Sequence, residues 1–170
     1  MAESSGSKVI TVSVIGGSKV PENVCKLAEE VGRLLARRGV IVFCGGLSGV
    51  MECVSKGVRE ENGIVIGILP GTSPDEGNPY LTVGIPTGIG FARNFLVSRA
   101  GDAIIAIDGS TGTHSEASFA LAEGKDVVVL GDLTIETKKE GEGKIIRVAT
   151  PEEAVEKAIS IAIERRHLRI

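Results

Sequence analysis

The chain has 170 residues, 42% hydrophobic and 24% charged, with net charge −3 from 19 basic and 22 acidic side chains. That length suits one domain, and those fractions exclude a disordered or low-complexity chain. The acidic balance and 3% aromatic content argue against a nucleic-acid partner, because composition supplies neither an excess of positive charge nor many rings for base stacking.

Residues 1–7 are polar without an apolar segment, which predicts a disordered tail before a single domain over 8–170. Residues 9–15 are β-branched and apolar and read as a buried strand ending at Gly16-Gly17. A helix over 21–38 follows, with Val24, Leu27, Ala28, Val31, Leu34 and Leu35 on one face and Pro21 near its start. The pattern then predicts a strand over 40–44, a helix over 47–60 and a strand over 64–69. Residues 72–78 read as a loop and 80–85 as a short edge strand. A helix over 88–100 carries Arg93 and Asn94, and 103–107 is another apolar strand. Gly109-Ser110-Thr111-Gly112-Thr113 leads into a helix through Ala122, followed by a strand over 127–130. Residues 131–143 read as an exposed loop and 145–148 as the last strand. Thr150-Pro151-Glu152-Glu153 carries a cap, a first-turn proline and a capping-box glutamate for the final helix.

Apolar strands alternating with amphipathic helices specify a parallel sheet covered on both faces, a three-layer α/β/α, Rossmann-like, doubly wound domain. Glycine is the compositional outlier, at 23 residues about twice the usual share. Four glycine-bearing turns, at Gly16-Gly17-Ser18, Gly45-Gly46, Pro70-Gly71 and 109–113, fall at strand carboxyl ends. That is the edge on which such sheets bind ligands.

The 109–113 turn suits an anion, because small residues admit it and a helix amino terminus meets its charge. The plain alternative is an ordinary strand–helix turn. No GxxxxGK[ST] or GxGxxG is present, so neither a triphosphate loop nor a dinucleotide fingerprint is. Glu116, placed in the first helical turn, is either a dipole partner or a carboxylate facing the crevice, and Arg93 either solvated surface or an anion clamp. Lys138, Lys139, Arg165 and Arg166 read as solvated faces. Cys25, Cys44 and Cys53 are odd in number without CxxC spacing, which predicts no disulfide framework, no metal site and a cytoplasmic location. No apolar run reaches the ~18 residues of a membrane span.

With these turns in place the chain resembles, over about residues 9–165, a Rossmann-like superfamily that often carries a lysine decarboxylase label. It includes the lonely-guy (LOG) cytokinin riboside 5′-monophosphate phosphoribohydrolases and the molybdenum cofactor carrier proteins. The resemblance rests on residues 44–51, 86–94 and 109–116, the last similar to PGGxGTxxE. It implies Glu116 and Arg93 as catalytic residues. Gly16, Gly17, Ser18, Gly45, Gly46, Asn94, Gly109, Ser110, Thr111, Gly112 and Thr113 are the candidate nucleotide- or phosphate-binding positions. The implied function is binding of a small phosphorylated nucleotide-like ligand, with hydrolysis to free base and ribose 5-phosphate. The alternative is a non-catalytic carrier of a phosphorylated cofactor such as molybdopterin. No cofactor is required for the first, and a homo-oligomer, dimer or tetramer, is implied for both. Two departures stand out: Asp108-Gly109-Ser110 replaces Pro-Gly-Gly, and 87–94 is closer to the carrier branch. No lysine lies within 45–51 or 109–116, which argues against pyridoxal-type decarboxylation.

Overall fold

A computed structural model describes residues 9–109 and 111–168. The β-branched runs form Thr11–Gly16 (β1), Ile41–Cys44 (β2), Val65–Leu69 (β3), Val83–Pro86 (β4), Ala103–Ile107 (β5), Val127–Leu130 (β6) and Ile145–Val148 (β7). The helices are Glu22–Arg37 (α1), Val50–Glu60 (α2), Arg93–Ala100 (α3), Thr111–Ala122 (α4) and Pro151–Leu168 (α5). The strands make one sheet in the order β4-β3-β2-β1-β5-β6-β7, each neighbouring pair parallel. Every residue of β5 is buried, which is why its sequence, AIIAI, shows no polar alternation.

α1, α2 and α5 cover one face and share a core with Val12, Val14 and Ile105; α3 and α4 cover the other, around Ile15, Val97 and Ile104. The α1–α2 contact depends on missing side chains. A Cβ on Gly57 would stand 2.0 Å from the Glu29 carbonyl oxygen, and one on Gly32 2.3 Å from that of Val54. Chain progression reverses at β1, which pairs with both β2 and β5. A cleft therefore opens beyond the carboxyl ends of β1 and β5.

Several expectations are corrected. Residues 47–49 belong to a turn, and α2 begins at Val50, because Gly49 is left-handed (φ 69°) and its neighbour Val50 donates its N–H to the Gly17 carbonyl. The edge strand is Val83–Pro86 rather than 80–85. The helix expected over 88–100 divides into a 3-10 turn, Gly90–Ala92, and α3, because Gly88 and Gly90 have φ of 67° and 62°. The loop over 72–78 contains a 3-10 turn, Pro74–Glu76, whose cap Ser73 accepts from the Asp75 N–H. The 131–143 loop buries Leu133 completely.

Cys25 and Cys53 are joined in a disulfide between α1 and α2, with Cα atoms 5.4 Å apart, contrary to the expectation of none. Their separation of 28 residues carries no motif, and only the helix pairing brings them together. Arg166 is also not a free surface cation: its Nε donates to the buried Asp102 carboxylate at 2.8 Å. The α5 cap forms at Thr150 as expected, and only its return bond is displaced by one residue. Thr150 Oγ accepts from the Glu153 N–H, and the Glu153 carboxylate accepts from Ala149 rather than Thr150. The expected tail and Ser110 lie outside the described residues. Among the described residues no helix is long and apolar enough to cross a membrane.

Candidate functional site

The cleft at the β1–β5 switch point holds a cavity of about 320 Å³. Of the expected positions, Gly16, Ser18, Gly45, Arg93, Asn94, Thr111, Gly112, Thr113 and Glu116 line it. Each arrives by a separate route. β1 ends at Gly16, where a Cβ would meet the Ile107 carbonyl oxygen at 2.5 Å and Val50 at 2.6 Å, so only glycine lets β1, β5 and α2 converge. α3 delivers Arg93 and Asn94 from its first turn, and α4 delivers Thr111, Gly112 and Thr113 from its own.

The charged pair lies deep. Arg93, Asn94 and Glu116 are 5%, 4% and 7% exposed, so the solvated-surface reading of Arg93 is set aside. Arg93 donates through Nη1 to the Asn94 side-chain oxygen and through Nη2 to the Gly45 carbonyl at 3.4 Å. Its Nε is buried without a hydrogen-bond partner. A buried donor left unmatched costs about 1–3 kcal/mol. Glu116 is in the second turn of α4, not the first as expected, so it is poorly placed as a dipole partner and faces the cavity instead. Burial pushes its carboxyl up to about 8, against the opposing pull of Arg93. Burial likewise draws the Arg93 guanidinium below its ordinary value, an effect opposed by Glu116 and Cys44. Ser98 Oγ donates to the Glu116 carbonyl at 2.5 Å and ties α3 to α4, fixing the carboxylate relative to the guanidinium.

Three expected positions do not line the cavity. Gly17 turns its carbonyl to the Val50 N–H, so this turn caps α2. Gly46 (φ 78°) packs under Leu69, and its carbonyl accepts from Asn78. Gly109 packs against Leu133 and donates its N–H to the Asp108 carboxylate at 2.9 Å. Asp108, with φ 57°, thus consumes a donor where the Pro-Gly-Gly form has no carboxylate. The amino terminus that faces the cavity is that of α4, which turns the positive end of its helix dipole toward it. Four lining residues were missed: Ile15, Leu47, Met51 and Phe91. Met51 and Ile15 fit a core pattern. Phe91 follows two glycines within a run that the sequence assigns to a helix.

A family model describes what this cleft belongs to: that of the SLOG cluster4 family matches residues 9–155. The chain belongs to the SLOG cluster4 family. An uncharacterized protein of Archaeoglobus fulgidus is 37% identical over 158 residues, covering 92% of this chain and 99% of the relative. Among solved structures, the molybdenum cofactor binding protein of Rippkaea orientalis is similar with a TM-score of 0.82 at 28% identity, covering 92% of this chain and 99% of that one. A cytokinin riboside 5′-monophosphate phosphoribohydrolase of Arabidopsis thaliana is 34% identical over 119 residues, 65% of this chain and 50% of the enzyme. The match thus spans half the plant enzyme's length. A phosphoribohydrolase and a cofactor binding protein are thus both among the proteins to which this SLOG family chain is similar.

Proposed function

We propose that the cleft binds a nucleoside 5′-monophosphate and hydrolyses its N-glycosidic bond. The observation that carries this reading is the placement of buried Arg93 and buried Glu116 around one cavity, at the amino terminus of α4. The phosphate sits against the first turn of α4, where the positive end of the helix dipole meets its charge. Arg93, with its unmatched Nε, supplies the countercharge.

Hydrolysis breaks the bond between C1′ and the base nitrogen, with both electrons leaving on the base. Water oxygen bonds to C1′, and one water proton passes through the Glu116 carboxylate to the departing base. The sugar becomes cationic in the transition state, and an ionised carboxylate opposite it stabilises that charge. A carboxyl with a pKa of about 8 can accept the water proton and release it again near neutrality. The test is release of adenine from adenosine 5′-monophosphate, followed by chromatography. The expected result is stoichiometric adenine and ribose 5-phosphate from the native protein, with Glu116→Gln at least about 100-fold slower. Equal rates in both proteins would refute the role of Glu116.

Two observations favour a second reading, a carrier that does not turn its ligand over: burial pushes the Glu116 carboxyl up to about 8, which disfavours the ionised form in the free cleft, and the cofactor binding protein of Rippkaea orientalis is similar over 92% of this chain. A phosphorylated pterin would use the same α4 terminus and Arg93. It predicts saturable binding with ligand recovered unchanged, in Glu116→Gln as in the native protein.

The homo-oligomer is likewise a proposal, and α3 and α4 offer it a surface in the exposed Leu96 and Phe119. Light scattering at two or four times the monomer mass would support it, and monomer mass would contradict it.

A further inference from the structure

Phe91 is 86% exposed, more than any other large apolar side chain among the described residues, yet it lines the cleft that holds Arg93 and Glu116. It is also the single aromatic residue of that lining. Its turn is well anchored: Thr87 donates its N–H to the Leu69 carbonyl at 3.0 Å, Gly88 to Gly71 at 2.8 Å and Gly90 to Pro70 at 2.9 Å. The left-handed Gly88 and Gly90 shape the turn, and a Cβ on Gly90 would meet nothing within 4 Å. A ring held out in water by a fixed backbone gains nothing from folding, because it is as solvated in the native state as in the unfolded chain. It gains when a flat partner covers it.

We propose that Phe91 is the stacking face for the heterocycle of the ligand and sets a preference for purine over pyrimidine nucleotides. The inference rests on the nucleotide reading of the cleft and adds a specificity-determining residue to it. The polar floor, with Arg93, Asn94 and the first turn of α4, is occupied by the phosphate and sugar. The heterocycle then reaches the rim, where Phe91 covers one of its faces. A bicyclic ring overlaps a phenyl face over more area than a monocyclic one, and base–aromatic stacking commonly changes affinity by about fivefold to over a hundredfold.

The experiment uses ribose 5-phosphate and the carbocyclic analogues of adenosine and uridine 5′-monophosphate, in which a methylene replaces the ring oxygen, so that no oxocarbenium ion can form and the C1′–N bond survives the measurement. Calorimetric affinities are taken for the native protein, Phe91→Ala and Phe91→Tyr. The expected order in the native protein is the adenine analogue tightest and ribose 5-phosphate weakest. Phe91→Ala weakens the adenine analogue about tenfold, leaves ribose 5-phosphate within twofold and narrows the purine–pyrimidine gap; Phe91→Tyr restores it. Because the chain has no tryptophan, Phe91→Trp adds a single indole fluorophore, which the adenine analogue should quench and ribose 5-phosphate should not. Unchanged nucleotide affinity in Phe91→Ala overturns the inference, as does an equal loss for ribose 5-phosphate. A change of oligomer mass with nucleotide affinity intact assigns Phe91 to a subunit contact and also overturns it. If the native protein binds none of the three probes, the nucleotide reading itself fails and the inference with it.

Discussion

Glu116 couples the site to the stability of the fold. Below pH 4.5 its carboxyl is protonated in the folded and unfolded chain alike. Between 4.5 and about 8 the unfolded chain has released the proton and the folded chain has not, so folding stability falls as pH rises. At about 1.4 kcal/mol per unit the loss amounts to a few kcal/mol across that window. Urea midpoints should therefore decline from pH 5 to 8.5 in the ligand-free native protein more steeply than in Glu116→Gln. Parallel profiles would show that burial does not raise this carboxyl. The same group would set the pH dependence of the proposed hydrolysis: the ionised form accepts the water proton, so the rate rises with pH, reaches half its maximum near 8 and levels off about one unit above, and a rate that falls over this range would reverse the assignment. From sequence, Glu116 was legible as a candidate beside the glycine-bearing turn at 109–113, and Arg93 through the family resemblance of residues 86–94. Their burial was not legible, since first-turn charges are ordinarily solvated. Gly17, Gly46 and Gly109 resemble ligand-contacting glycines equally well, and only tertiary packing shows them occupied by Val50, Leu69 and Leu133.

Among the elements, the α1–α2 pair carries the tightest contact and also the disulfide. Closing a loop of 28 residues restricts the unfolded chain, and in the chain-entropy account this contributes about 3.5 kcal/mol. The Cys25→Ser, Cys53→Ser double variant should lower the denaturation free energy by about that amount, with reduction of the native protein giving a similar loss; an unchanged midpoint would show that the bridge adds no stability. On the other face, α3 ends on an ammonium group. Lys125, 3% exposed, donates Nζ to the Ser98 carbonyl at 2.8 Å and to Gly101 at 2.7 Å. Lys125→Met keeps the stem but strands these carbonyls, and a loss of about 3 kcal/mol in chemical denaturation is expected. Strands β5, β6 and β7 match their expected limits because continuous β-branched runs between breakers admit one reading. Helix starts at residues 47–50 and 88–93 were misplaced because left-handed glycines within apolar runs do not disturb periodicity. The disulfide was illegible because its cysteines belong to separate elements whose approach depends on Gly32 and Gly57.

For the molecule as a whole, the doubly wound order places two helix layers around one parallel sheet and leaves one switch point, between β1 and β5. The fold class was readable from alternating periods, and the ligand edge followed from topology. What topology adds is convergence: β1 ends, and α3 and α4 begin, at the same cavity although they are distant in sequence. The most direct test is a crystal structure grown with excess carbocyclic adenosine 5′-monophosphate. The phosphate should lie against the first turn of α4 within reach of Arg93, with C1′ turned toward Glu116. A cleft holding solvent alone at saturating ligand, or a phosphate bound away from α4, would contradict the account.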